Sequence, residues 1–233
     1  MLAHSTLLTL LAGAGAGAFA NPIDLAERAS CPGVHVFGAR ETTASPGYGS
    51  AGTVVNEVLS AYSGSTAEAI TYPACGGGSS CGGVSYSSSV AQGTSAVCSA
   101  VSAYAKTCPS TELVLVGYSQ GAEIFDNALC GGGDPNQGLS SSCSIASYNI
   151  KAVIFMGDPR YENGAPYNVG TCKAGGFDAR PAGQTCGSYN SLIQSYCDAS
   201  DPYCCNGSNA ATHQGYGSEY GSAALTFVKS KLG

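Results

Sequence analysis

The chain has 233 residues, enough for one domain with a full hydrophobic core, and only 10% of them are charged against about 25% in an ordinary soluble domain. Nine Lys and Arg against 15 Asp and Glu give a net charge of -6, which excludes the basic patches that a phosphate backbone demands, so nucleic acid is not an expected partner. A polar, largely uncharged surface rich in Ser, Gly and Tyr suits a neutral polysaccharide or polyester instead.

Residues 1–20 carry a short apolar run, Leu7, Leu8, Leu10 and Leu11, and then small residues ending in Ala18-Phe19-Ala20, the pattern of a signal peptide without its usual basic start. The run is too short and too rich in Gly and Ala to span a bilayer, and no other segment reaches that length, so no membrane anchoring is expected. Residues 21–29 read as a pro-segment with Arg28 as a processing point, which leaves residues 30–233 as a single secreted domain. Twelve cysteines behind such a leader read as disulfides, and none has the Cys-x-x-Cys or His-pair spacing of a zinc site, so no metal is expected. Two short loops nominate themselves for closure, Cys75 to Cys81 and Cys197 to Cys204.

In chain order, residues 34–39 predict a first strand and 40–47 a polar loop. Val54, Val55, Val58, Leu59 and Tyr62 recur at helical spacing. A strand is expected over 68–72, before Pro73, and a long helix over 88–106, with Val90, Val97, Val101 and Tyr104 on one face. Residues 112–118 form an apolar run, followed by a helix to about 129. A strand over 150–156, a loop-rich stretch to about 190, a strand near 191–196 and a helix over 218–232 complete the chain. Strands alternating with helices predict an α/β fold with a parallel sheet covered on both faces. The glycine triplets at 76–78 and 131–133 lack the Gly-Lys-Ser/Thr of a phosphate loop and read as tight turns.

The run at 112–118 leads into Gly117-Tyr118-Ser119-Gln120-Gly121. Glycines two positions either side of a serine let a strand and a helix approach closely while the hydroxyl is pushed clear of the sheet, the arrangement of a nucleophile elbow. A serine hydroxyl needs a base to take its proton, and the base needs a carboxylate to orient it. Of the three histidines, His4 belongs to the signal peptide and His35 alternates with apolar residues in the first strand. His213, expected in a loop between the last strand and the last helix, is the candidate base. Asp158, Asp198 and Asp201 follow Ser119 in the chain; Asp201, central in the Cys197 to Cys204 loop, is the preferred acid, because closing that loop would hold the carboxylate still.

The Gly-Tyr-Ser-Gln-Gly elbow, the loop Cys197-Asp198-Ala199-Ser200-Asp201-Pro202-Tyr203-Cys204, His213 and the stretch Val36-Phe37-Gly38-Ala39-Arg40-Glu41-Thr42-Thr43 together resemble the cutinase family, and more closely its fungal acetylxylan esterase branch, carbohydrate esterase family 5. The similarity covers residues 30–233. It implies a cutinase-like α/β-hydrolase fold, a three-layer sandwich of a central parallel sheet flanked by helices without a lid domain. It also implies a triad of Ser119, Asp201 and His213, and an oxyanion hole made by the backbone N–H groups of Thr42 and Gln120. Five disulfides are implied: Cys31 with Cys108, Cys75 with Cys81, Cys130 with Cys186, Cys172 with Cys205, and Cys197 with Cys204. Cys98 and Cys143 fall outside that pattern, which leaves a sixth pair or two free thiols open.

The expected function is that of a secreted serine esterase releasing acetate from acetylated xylan or another small-acyl ester, as a monomer, with no cofactor. The polar loops at 41–43 and 202–209 favour a sugar ester over lipid polyester. A cutinase is the alternative, and a carbohydrate-binding protein that merely keeps the fold is the alternative of another class. Asn206-Gly207-Ser208 is a glycosylation sequon beside the expected active-site rim.

Overall fold

Strands buried on both faces must be apolar wherever they are covered. The two central strands of this sheet, β3, Glu112–Tyr118, and β4, Ile150–Met156, are so from Leu113 and Ala152 onward, while the partly exposed Glu112 and Lys151 at their starts pair with each other. The structure, a computed structural model, describes residues 31–141 and 143–233. The expected signal peptide and pro-segment, residues 1–29, lie outside the described residues. Six parallel strands run in the order β2-β1-β3-β4-β6-β5, where β1 is Val34–Ala39, β2 Thr66–Ala69, β5 Asn168–Val169 and β6 Ile193–Tyr196.

Alternation along the strands divides the core in two. Phe37, Leu113, Leu115, Val153 and Phe155 pack on one face with Val90, Val97 and Val101 of α2, Tyr86–Thr107, and with Ile124 and Phe125 of α3, Gln120–Cys130. Val36, Val114, Val116, Ile154 and Met156 pack on the other with Val54, Val55 and Val58 of α1, Gly52–Ala61. Tyr216, Ala224 and Val228 of α5, Tyr216–Lys231, complete that second layer. Each of these fully buried aliphatic side chains contributes about 1.5–3 kcal/mol of transfer free energy. The fold is therefore the three-layer α/β sandwich expected.

Three elements differ from expectation. β2 occupies Thr66–Ala69 rather than 68–72, because its pairing with β1 ends at Gly38 opposite Ala69; Ile70 and Tyr72 are buried, but beyond the paired strand. Asn168–Val169 adds a two-residue edge strand. His213 ends a one-turn helix, α4, Ala210–His213, whose N-cap Asn209 accepts the Ala211 N–H, where a loop was expected.

Six disulfides brace the described chain. The structure pairs Cys31 with Cys108, Cys75 with Cys81, Cys130 with Cys186, Cys172 with Cys205 and Cys197 with Cys204, and joins Cys98 to Cys143. The second glycine triplet is fixed by two buried arginines. Arg160 reaches the Gly133 carbonyl and Asp134, while Arg180 reaches the Gly131 carbonyl and Asp126.

Candidate active site

Ser119 stands between β3 and α3 at φ 52° and ψ −122°, a left-handed conformation that costs a non-glycine residue on the order of 1–3 kcal/mol and persists only where its surroundings impose it. Those surroundings are tight. A Cβ on Gly117 would lie 2.5 Å from Ala122 Cα, and one on Gly121 would strike the Ala39 carbonyl. The other non-glycine residues with positive φ among the described residues are Thr43 (66°) and Ala74 (51°), and the Thr43 N–H donates to the Ala74 carbonyl at 2.7 Å. Among the described residues the positive-φ non-glycine backbone thus lies at the elbow and at two residues from separate loops, Thr43 and Ala74, that are joined by a hydrogen bond.

Thr42 and Thr43 share one cavity of about 900 Å³ with Ser119 and His213. Their loop is held from three sides. Arg40 donates to the Ala44 carbonyl at 3.0 Å and to the Tyr72 carbonyl, the Tyr72 hydroxyl donates back to the Arg40 carbonyl at 2.6 Å, and Glu41 accepts from the Ser50 N–H and hydroxyl, each at 2.8 Å. Gln120 is fixed through its side chain, which accepts from the Ser89 hydroxyl at 2.8 Å and donates to the Cys75 carbonyl at 3.2 Å. Its backbone opens α3, whose N-terminal dipole favours negative charge above Ser119.

His213 is oriented by Asp201, whose Oδ2 lies 2.7 Å from Nδ1. Asp201 is fully buried, and the Cys197 to Cys204 disulfide closes its loop. Its Oδ1 accepts the backbone N–H groups of Tyr203 (2.6 Å) and Cys204 (3.1 Å), and its Oδ2 accepts the Tyr216 hydroxyl at 2.8 Å. Burial works to raise the Asp201 pKa, but His213 and these donors outweigh it and hold the carboxylate below its ordinary value. The imidazole is boxed in by Tyr203, ring centroids 4.5 Å apart, and by Gly157, where a Cβ would lie 2.7 Å from Cε1. An imidazole with Nδ1 tied to a carboxylate presents its Nε2 for proton transfer.

The two other aspartates considered serve elsewhere. Asp198 accepts from the Thr171 N–H and hydroxyl and from Tyr220, tying the β5 edge to α5. Asp158 is buried, accepts the Arg160 N–H, and is pushed well above its ordinary pKa by burial first and the nearby Asp126 second. His35 stacks on Tyr104 at 3.8 Å with its Nδ1 2.6 Å from the Thr66 hydroxyl, and burial depresses its pKa to about 4. It is a neutral packing residue of β1. Sequence reasoning missed Tyr216, Gly157 as the backing of His213, and the wall built by Tyr86, Gln137 and Phe177. None carries a local motif.

The parallel sheet, the strained serine at the end of a central strand and the histidine–aspartate couple beyond β6, the aspartate on the Cys197 to Cys204 loop and the histidine at the end of α4, define an α/β hydrolase. The chain belongs to the cutinase family, whose model matches residues 30–232. It is 70% identical to acetylxylan esterase 2 of Talaromyces purpureogenus over 94% of this chain and 95% of that protein. It is 65% identical to cutinase 11 of Verticillium dahliae over 89% of this chain and 72% of that one. A solved acetylxylan esterase structure superposes with a TM-score of 0.84 at 72% identity, covering 87% of this chain and all of that one.

Proposed function

We propose that the protein is a secreted, monomeric serine esterase that removes acetyl groups from xylan. The observation that carries this is the buried His213–Asp201 couple facing the same cavity as the strained Ser119. In this reading His213 Nε2 takes the proton of Ser119 as Oγ attacks the acetyl carbonyl, and the backbone N–H groups of Gln120 and Thr42 hold the tetrahedral oxyanion. As the intermediate collapses, the protonated imidazole gives its proton to the departing sugar oxygen, leaving acetyl-Ser119. Water, deprotonated by the same ring, then releases acetate. Each oxyanion donor contributes roughly a hundred- to a thousandfold in turnover.

The likeness to acetylxylan esterase 2 supports xylan acetate as substrate. Export is supported by the leader sequence and by all twelve cysteines standing in disulfides. The exposed Asn206, in its sequon at the rim of the Asp201 loop, is proposed to carry a glycan. A second reading, hydrolysis of longer-chain polyester, is favoured by the 65% identity to cutinase 11. Initial rates on p-nitrophenyl acetate, butyrate and octanoate, beside acetate release from acetylated xylan, decide between them. Acetate-selective activity that includes xylan is expected; octanoate as the best ester, with no acetate from xylan, would establish the second reading and sink the first.

A further inference from the structure

Phe177 and Tyr203 are the exposed large hydrophobic side chains among the described residues, 53% and 42% accessible, and both line the Ser119 cavity. A single exposed apolar side chain calls for no explanation, but two at one cavity mouth, in a chain that buries its core so fully, do. They are built together. The Phe177 N–H donates to the Tyr203 carbonyl at 2.9 Å, the Tyr203 ring lies against His213, and the Phe177 ring meets Tyr86 edge-on at 5.7 Å. Tyr86 is anchored in turn by a short hydrogen bond from its hydroxyl to the buried Glu123. On the same wall Gln137 accepts from the Ser87 hydroxyl at 2.8 Å and donates to Asp178 at 3.1 Å, which leaves its second amide hydrogen for a ligand.

The chemistry decides which part of a substrate meets this wall. The imidazole that takes the Ser119 proton must return it to the departing oxygen, so the alcohol side of the ester lies on the His213 side of the cavity and the carbonyl oxygen on the Gln120 and Thr42 side. Among the side chains lining the cavity, Glu41 is the one Asp or Glu, there is no Lys or Arg, and both Glu41 oxygens are occupied by Ser50. The wall beside His213 is therefore aromatic, amide-bearing and uncharged, which matches a neutral ring with polar edges and an apolar C–H face.

We propose that Phe177, seated on Tyr86 and flanked by Tyr203 and Gln137, is the platform on which the pyranose ring of the departing xylose unit stacks. This rests on the deacetylase reading above. The C–H face of the sugar lies on the negative face of the phenyl ring, and Gln137 donates to a ring hydroxyl. Phe177 is a specificity residue; the proton transfers belong to His213.

The test compares kcat/KM on acetylated xylotriose with kcat/KM on ethyl acetate, whose alcohol is too small to reach Phe177. For Phe177→Ala the xylotriose-to-ethyl-acetate ratio falls about five- to tenfold, chiefly through KM, and Phe177→Tyr restores it. Phe177→Leu, which keeps apolar area without a π face, stays low. A ratio within twofold of the parent in Phe177→Ala, or full recovery in Phe177→Leu, overturns the platform. A parent enzyme that cleaves ethyl acetate but releases no acetate from xylotriose overturns the deacetylase reading itself.

Discussion

Tyr216→Phe removes one oxygen from the least accessible part of the site. That hydroxyl is buried, donates to Asp201 Oδ2 at 2.8 Å and accepts the Asp198 N–H at 2.9 Å. Burial pushes its pKa far above the ordinary tyrosine value, so it remains a neutral donor at any working pH. Losing a hydrogen bond to a carboxylate costs about 1.5–3 kcal/mol, and the orphaned Asp198 N–H adds about 1–3 kcal/mol. Partial relaxation brings the expected total to roughly 3 kcal/mol, a fall in Tm of about 6–12 °C for a domain of this size. The pH dependence has a definite sign. Asp201 is held below its ordinary value of 3.8, so it contributes stability that is present above that pH and is lost as pH falls through the folded value. The variant has less of this contribution, and the Tm gap is widest near neutrality and narrows below about pH 4. Looser orientation of His213 lowers kcat about tenfold. Thermal melts from pH 3 to pH 8 check this; a variant melting within about 1 °C of the parent at pH 7, with no trend toward acid, would refute the reasoning.

Three further outcomes are expected. Gly157→Ala places a methyl at φ +65° against the His213 ring, so kcat/KM falls by at least about a hundredfold while circular dichroism shows a folded protein; near-parental activity would show that the ring has room to move. Glu123 is raised well above its ordinary 4.5 by burial first and by the neighbouring Asp178, against the hydrogen bond donated by the Tyr86 hydroxyl, which lowers it. The native state thus holds that proton more tightly than the unfolded chain, and stability falls as pH rises above about 4.5. Glu123→Gln, which mimics the protonated form, melts with the parent at pH 4 and increasingly above it toward pH 8; a gap independent of pH would contradict this. Replacing Cys98 and Cys143 together by Ser opens a 45-residue loop, a loss of about 4 kcal/mol in the chain-entropy account, read as a lower urea midpoint with activity retained at low denaturant.

How much could be read in advance follows from where the information lies. The buried strands β3 and β4 carry the apolar runs 113–118 and 152–156, and α2 has a periodic face ending before Pro109, so the alternation that fixes a parallel sheet is written locally. The bounds of β2 shift because Ile70 and Tyr72 are buried in the same core as α2 and α3 although the register with β1 ends at Ala69, and burial alone does not mark where pairing stops. β5 is only two residues long, too short for any period, and α4 is announced by nothing but the Asn209 cap. Ser119, His213 and Asp201 could be nominated as candidates because a glycine-flanked serine, a scarcity of histidine and a short cysteine-closed loop are features of the chain itself. Tyr216, Gly157 and Phe177 were not, because each acquires its role through contacts between segments far apart in the chain.

The proposed chemistry rests on the Ser119 oxygen, and its most direct test is acetate release from acetylated xylan by Ser119→Ala beside the parent, with both shown folded by circular dichroism. A fall of at least about a thousandfold is expected, the remainder reflecting binding and the oxyanion donors alone. Activity within tenfold of the parent would contradict the account.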